Sequence, residues 1–545
     1  MSKFNNNPSI ARELNKRSDA VQNYEGGLAF GLDPYMDLYI RAASTLVGEH
    51  KFYTDANTSD KDLLKSINAM AKIDPEFILQ LAVYCREELY LRSVSLMLVA
   101  EFANNSDCVG KVHKARKYVT RVIQRADELT ELIAYQLNRN LIIPRDKTKL
   151  PMLIRFGVRD AFNKFDKYRI SKYNRTDAEV KMRDAMFLTH PKPKNELEKE
   201  IFDSLADGTM ESPETWEVTR STGTKSWHDV INDVFYKNGR VNNYMAILRN
   251  LRNCLKDSSV TADDISLLCS MISNRDAVLY SKQLPFRFYN AYSQLYDMND
   301  EDLTSVGVLH LTDVMDALEE AVIYSIDNFP KLSGSSTLIA CDVSGSMEMP
   351  ISYRPSRHVD RRSAGIQRFD IGILLGMMAN RFCGHTITGM FGDIWKVVPM
   401  SKTSGVLKNA MDMHSREGEV GYSTNGYLII DYLLENDIKV DRIMIFTDSQ
   451  MWDSRTSHNT KFEQMFPRNY SGVSVAQKFI LYQRKYPDTK LYCFDLAGYG
   501  TVIIPQDIKN VCFIGGWSDK VFDFVVAFES GSENVVIEEI KSIRP

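Results

Sequence analysis

No stretch of this 545-residue chain is apolar for long enough to cross a bilayer. The longest runs, such as residues 94–100, fall far short of the 18 or more residues a spanning helix needs. The first 17 residues are polar and hold no apolar signal core, so no secretory leader is expected. Eight cysteines are scattered along the chain, with no C-x-x-C and no two closer than fifteen positions. That spacing argues against a zinc cluster or a disulfide framework, and for a reducing cytoplasm. Also missing are G-x-x-x-x-G-K-[ST], G-x-S-x-G and H-E-x-x-H, and the nine histidines do not cluster at metal-ligand spacing. The expectation is therefore a protein that is not an enzyme. Neither sign of charge dominates: 67 Lys+Arg stand against 71 Asp+Glu, a net charge of −4. The molecule as a whole is no polycation.

What is present is enough apolar material for full cores, 44% of residues, and length for about three domains. Up to residue 330 the text carries helix-period patterns, for example at 75–90, 93–103, 112–138, 176–188 and 244–255, broken by Asn/Asp/Ser/Gly. Clear strand alternation is absent there. A long series of paired helices suggests an α-solenoid of HEAT type, with a compact irregular helical domain as the alternative. Terminal repeats leave an apolar face that needs a cap, so the expected solenoid is curved, its ends bridged by a fused domain. A Pro/Gly/Ser-rich stretch at 327–336 closes this part. Beyond it, buried parallel strands are expected at 338–343, 386–391, 442–447, 490–496 and 511–514, with crossover helices at 369–382, 426–436, 473–486 and 519–528. The expected domains are thus a helical-repeat domain, 1–330, and a doubly wound α/β domain, 336–545.

The near-zero net charge conceals an asymmetry. Residues 111–175 hold 17 Lys+Arg and 6 Asp+Glu, a local charge of +11, which leaves −15 for the rest of the chain. On one helix, Lys111, Lys114, Lys117, Arg121 and Arg125 would fall within about 120°, with Val112, Ala115, Val119, Val122 and Ala126 on the adjoining face. No acidic residue occurs between 109 and 126, whereas a solvated helix usually mixes Glu with Lys. A second stripe runs through Lys164, Tyr168, Lys172 and Arg175, with Val158, Phe162, Phe165 and Tyr173 on its buried side. Two cationic stripes with an interleaved tyrosine suit a phosphate backbone and a stacked base. Ordinary solvated faces are the plain alternative.

The sharpest local motif is D-V-S-G-S at the end of the strand expected at 338–343. Asp342, Ser344 and Ser346 leave that strand on a tight turn, Thr424 lies in a polar loop before a helix, and Asp448 follows R-I-M-I-F-T. Two carboxylates and three hydroxyls at the carboxyl ends of parallel strands suit a hard cation such as Mg2+, with waters completing the shell. The same residues could instead serve as turn and helix caps. The motif resembles the metal-ion-dependent adhesion site of von Willebrand factor type A domains, over residues 336–545. With only two negative ligands, the ion could still attract an acidic side chain of a protein partner. An insertion at 349–367 could cover it.

L-P-M-L-I-R (150–155), N-K-F-D-K-Y-R-I-S-K-Y-N-R (163–175), F-L-T-H-P-K-P (187–193), E-T-W-E-V (214–218) with S-W-H-D-V-I (226–231), L-R-N-L-R-N (248–253) and L-P-F-R-F (284–288) resemble, in order, the TROVE module of Ro ribonucleoproteins. D-L-A-G-Y-G (495–500) is similar to the α/β domain of the same family. The resemblance implies a ring of helical repeats closed by a von Willebrand-type domain. Small noncoding Y RNAs would bind its basic outer surface, and single-stranded 3′ ends of misfolded RNA would enter a central hole. Lys172, Arg175 and His190 align with RNA-contacting positions of the family. The resulting expectation is a monomeric cytoplasmic RNA-binding protein with a magnesium site. A metal-dependent protein-interaction module on a helical scaffold is the alternative.

Overall fold

The computed structural model of the chain describes residues 10–45, 56–142, 150–211, 223–326, 335–350, 366–452, 474–518, 520–531 and 535–545, with 213, 217, 220 and 332 as isolated positions. Most of the 327–336 linker and of E-T-W-E-V, and residues 351–365 of the 349–367 insertion, lie outside the described residues. Two units are formed. One combines residues 10–45 with 227–531; the other combines the described residues between 60 and 226 with 535–545. The division does not follow the change of text near residue 330. Helices from 227 to 326 group with the strands, and the last helix groups with the N-terminal ones.

The first unit contains the strands. β1 (Ala20–Gln22) and β2 (Leu28–Gly31) form a hairpin, and β3 (Tyr236–Lys237) pairs with β4 (Arg240–Val241). Then come β5 (Ser336–Asp342), β6 (His385–Phe391), β7 (Trp395–Val397), β8 (Arg442–Thr447), β9 (Lys490–Asp495), β10 (Thr501–Val502) and β11 (Val511–Gly515). The six-stranded sheet has the order β11-β9-β8-β5-β6-β7 and is parallel except where β7 runs against β6. It is therefore a mixed sheet rather than a wholly parallel one. The five expected strands all form, because continuous apolar text such as Ile443–Phe446, entirely inaccessible to solvent, is stable only in a sheet covered on both sides. The short edge strand β7 and the hairpin, which adds β10 to make a three-stranded sheet, carry too little pattern to be read in advance.

Strand order fixes where a ligand can sit. From β5 the chain moves to β6 on one side, then returns to β8 on the other. The carboxyl ends of β5 and β8 therefore flank a topological switch point, the crevice where open α/β sheets bind ligands. A helical group packs in the same unit: Tyr244–Lys256, Ala262–Ile272, Arg275–Ser281, Pro285–Tyr296 and Ser305–Ser325. Glu319 of the last helix accepts the amides of Val406, Leu407 and Lys408 at 2.8, 3.1 and 2.6 Å, which satisfies the open N-terminus of Val406–His414.

The second unit is helical throughout its described residues. At its centre, Pro75–Glu87 and Ser93–Asn104 are buried on every side from Phe77 to Arg86 and from Val94 to Ala103. The helix expected at 112–138 is two helices, Ala115–Val122 and Asp127–Ile142. The break has a specific cause. The ammonium of Lys164 takes the carbonyls of Thr120 (2.8 Å) and Ile123, while the buried Glu128 carboxylate accepts the amides of Gln124 and Arg125 at 2.7 and 3.0 Å. Likewise residues 176–181 stay out of the helix expected at 176–188, which begins at Met182 because Asp184 caps the amide of Lys181 at 3.1 Å.

Candidate nucleic-acid interface and metal centre

The break at residue 123 changes the first basic stripe. Lys111 lies in a turn before the helix, Lys114 is a left-handed residue at its start (φ 56°), and Arg125 lies past its end. The five cations do not share one helical face. Folding also supplies the acids that local sequence lacks. Arg121 makes a bidentate pair with Glu87 at 2.8 and 2.7 Å and donates to the carbonyl of Arg544 at 2.6 Å. Arg125 pairs with Asp127 at 3.1 Å, and Lys111 lies 3.8 Å from Asp107. Lys114 and Lys117 are exposed and, among the described residues, have no ion pair.

The second stripe divides in the same way. Val158, Phe162 and Phe165 are buried as expected. Lys164 is a helix-capping residue, its ammonium turned to backbone carbonyls, and this desolvated position pulls its pKa below the ordinary lysine value. Tyr168 is 54% exposed on the short helix Lys167–Lys172, and the Lys172 ammonium stands 6.0 Å from its ring centre. Arg175 is exposed and paired with Asp177 at 2.7 Å, a surface pair that a phosphate can replace at little cost. His190 ends Met182–Thr189 in the left-handed conformation (φ 52°), exposed and followed by Pro191.

These segments converge. Arg125 reaches the Tyr173 hydroxyl at 2.9 Å and lies over its ring at 5.1 Å, which joins the loop after Ala115–Val122 to the end of Lys167–Lys172. Asn163 donates to the carbonyl of Lys192 at 3.0 Å and to Glu198 at 2.6 Å, and so holds the T-H-P-K-P loop against the end of Met152–Phe162. Gly157 makes the close crossing possible: a Cβ there would lie 2.4 Å from Val119 Cγ1. Two links thus tie neighbouring segments together, and Tyr168 stays exposed with the Lys172 ammonium near its ring. Sequence pattern did not single out Phe187, 49% exposed with Arg183 5.6 Å from its ring centre, because an apolar residue in helical text reads as core.

In the other unit the D-x-S-x-S turn is built as its spacing implies. Asp342, Ser344, Ser346, Thr424 and Asp448 are all buried and gathered at the switch point. Asp342 accepts the Ser344 amide at 2.9 Å and the Thr447 hydroxyl at 2.5 Å, and the Ser344 and Ser346 hydroxyls are 3.2 Å apart. The Gly345 amide donates to the Tyr422 carbonyl (3.0 Å) and the Trp452 amide to that of Thr424 (3.0 Å), so all three segments are tied together. Burial, with the negative charge of Asp448 beside it, pushes Asp342 up to about 7. Burial also raises Asp448, against hydrogen bonds from Ser346 and the Gln450 amide and the charge of Arg368. Asp448 Oδ2 is buried with no hydrogen-bond donor among the described residues. A buried orphan carboxylate oxygen among hydroxyls is the donor set a hard cation requires. Asp393 and Glu25 also line the cavity of about 350 Å³ over this turn. Asp393 was legible, since it follows the carboxyl end of β6 as Asp448 follows that of β8; Glu25 gave no signal.

The TROVE domain profile matches residues 36–212 and 200–305, which includes every element of the basic surface. The chain belongs to the Ro family of TROVE-domain proteins. Among curated relatives, the mouse (Mus musculus) telomerase protein component 1 is 24% identical over 313 residues, 43% of this chain and 12% of that protein. The rat (Rattus norvegicus) protein of the same name is 24% identical over 311 residues, 42% of this chain and 11% of the relative. The chain spans about a tenth of the length of these relatives. In fold, this TROVE protein is similar to the crystal structure of the Deinococcus radiodurans RO (RSR) protein. That likeness has a TM-score of 0.56 at 15% identity and covers 91% of this chain and all of that one. The α/β residues from 336 onward lie outside the family profile, and a likeness that covers 91% of the chain takes in most of them.

Proposed function

We propose that this TROVE protein is a non-catalytic RNA-binding component of a ribonucleoprotein. It holds a Y-like noncoding RNA through phosphate contacts and a single-stranded 3′ end of misfolded RNA at Tyr168, Lys172, Arg175 and His190. The observation that carries this reading is the exposed Tyr168 ring with the Lys172 ammonium 6.0 Å from its centre, and with Arg175 and His190 exposed in the segments that follow. A single strand offers bases to stack on such a ring, whereas an A-form duplex offers chiefly shape, 2′-hydroxyls and phosphates. Lys114 and Lys117 suit the duplex. Membership of the family supports an RNA partner in general; the Y-like RNA and the 3′ end are this proposal's own. The helical part is read as HEAT-like repeats, and the protein as a cytoplasmic monomer. The test compares a structured RNA with and without a 3′ overhang. Wild type prefers the overhang, and Lys172→Ala/Arg175→Ala loses that preference while keeping duplex binding. Equal loss on both RNAs makes these residues generic surface charge.

The α/β part is read as a von Willebrand factor A-like domain whose D-x-S-x-S turn binds Mg2+ or a similar divalent cation. The orphan Asp448 oxygen supports this. Ser344, Ser346 and Thr424 would coordinate directly, with Asp342 and Asp448 direct or through water. A bound cation would there supply a Lewis-acidic anchor for an acidic group. Calorimetry with Mg2+ should show binding that Ser344→Ala weakens; no binding at millimolar concentration refutes the site.

A further inference from the structure

The helix Met182–Thr189 buries Met182, Ala185, Met186 and Thr189, the stripe that a helical repeat turns inward. Phe187 is thereby left outside, 49% exposed, the only exposed apolar side chain of that helix. A phenylalanine half in water forfeits much of the free energy that its burial would bring. Arg183 lies one turn before it, with the guanidinium 5.6 Å from the ring centre, and His190 closes the same helix three residues after it, also exposed. Arg183 is exposed and makes no ion pair among the described residues. Asp184, the single carboxylate of the helix, accepts the Lys181 amide at 3.1 Å at its other end. The same pattern occurs at Tyr168, an exposed ring with the Lys172 ammonium one turn away and 6.0 Å from its centre. Asn163 connects the two helices. It stands three residues before the Asp166 cap of Lys167–Lys172, and it donates at 3.0 Å to the carbonyl of Lys192, two residues after His190.

An open ring suits a nucleobase, which stacks on it whatever the sequence, and the phosphate beside that base needs a cation that no carboxylate already holds. A protein partner would need a wider apolar patch than one ring on a helix whose other exposed residues are polar. We propose that Phe187 is a second base-stacking platform for single-stranded RNA, with Arg183 on the adjoining phosphate, so that the strand is held at two rings. This rests on the RNA reading above. The Phe187 ring has neither donor nor acceptor, so it grips a base without reading its edge, and any preference among bases follows stacking strength.

The experiment uses the full chain and fluorescence anisotropy with two probes: a short unpaired RNA, and a strand of the same length whose sugar-phosphates carry no bases. Thermal melting confirms that each variant is folded. Phe187→Leu keeps an apolar side chain but loses the flat ring. It should weaken the RNA by about tenfold, leave the abasic strand unchanged and leave the salt slope as in wild type. Phe187→Tyr, which keeps the ring, should stay within about twofold of wild type. Arg183→Gln should weaken both strands and lower the salt slope by about 0.7. In Phe187→Trp, the RNA should quench emission that wild type lacks, and the abasic strand should not. If Lys172→Ala/Arg175→Ala loses the unpaired RNA while Phe187→Leu binds it as wild type does, the platform is wrong, the RNA site stands, and a protein contact becomes the reading for the ring. If Phe187→Leu weakens both probes equally, the ring only supports its surroundings and the proposal is also wrong. If wild type has no affinity for unpaired RNA, the RNA reading falls first and the platform with it.

Discussion

Two lysines eight residues apart illustrate how little a cation's presence says about its task. Lys164 and Lys172 sit on the same sequence stripe, yet one closes a helix and the other stands over an exposed ring. Lys164→Met should destabilise the fold by on the order of 1 kcal/mol, through the carbonyls of Thr120 and Ile123 it leaves open, with a small effect on RNA affinity. Lys172→Ala should do the reverse; denaturant melts and RNA titrations of both variants separate the cases. His228 offers a pH signature in the other unit. Its Nδ1 lies 2.8 Å from Asp264, and this hydrogen bond and charge raise it above 6.5. Burial alone would raise Asp264, but hydrogen bonds from His228, the Thr261 amide and Asn232 bring it below 3.8. The raised histidine contributes stability that is fully present below pH 6.5 and lost as pH rises through its folded value; the lowered aspartate contributes above 3.8 and loses it in acid. The melting-temperature advantage of wild type over His228→Gln should therefore be present at pH 6 and shrink by pH 8. A constant difference would mean that the histidine is not charged in the fold.

At the scale of elements, the crossing of Ala115–Val122 with Met152–Phe162 sets the spacing of the basic surface. Gly157 lets the helices meet at Val119, and the Thr120 hydroxyl donates to the Gly157 carbonyl at 3.2 Å. Gly157→Val should push them apart, at a cost of about 1–3 kcal/mol for overpacking. RNA affinity should fall although no charge has been removed, and a filter-binding series against wild type checks it. Elements were also where sequence was most legible and where it failed most clearly. β8 begins and ends where R-I-M-I-F-T does, because nothing in six buried positions, the middle four of them apolar, competes with the sheet. The 112–138 helix failed because its terminator, Lys164, is forty residues away in sequence, and no local pattern records it. For the same reason the stripe lacked visible acids: Glu87 and Asp127 reach it only through folding. The convergence of the D-x-S-x-S turn with Thr424 and Asp448 could be placed from sequence because these residues follow a strong strand or precede a helix; Glu25, in the wall of the cavity over them, could not, because a hairpin of seven strand residues carries almost no periodicity.

For the molecule as a whole, RNA binding should be strongly salt-dependent, with a slope of roughly −0.7 in log affinity per phosphate neutralised on a single strand. Removing Lys172 should reduce that slope by about 1 at most. A steeper loss would mean that the surface had rearranged. The units also have an unusual order of completion. Residues 10–45 pair with strands near residue 500, since β2 bonds to β10, and the helix Val535–Ser542 packs on Pro75–Glu87. Gln80 donates to the carbonyls of Lys541 and Ile543 at 2.9 and 3.1 Å, and the Tyr118 hydroxyl to that of Ile543 at 3.2 Å. Neither unit can close while its late segments are still being synthesised. On the ribosome, Pro75–Glu87 and its neighbours therefore wait, with one face open, until residues 535–545 have been added.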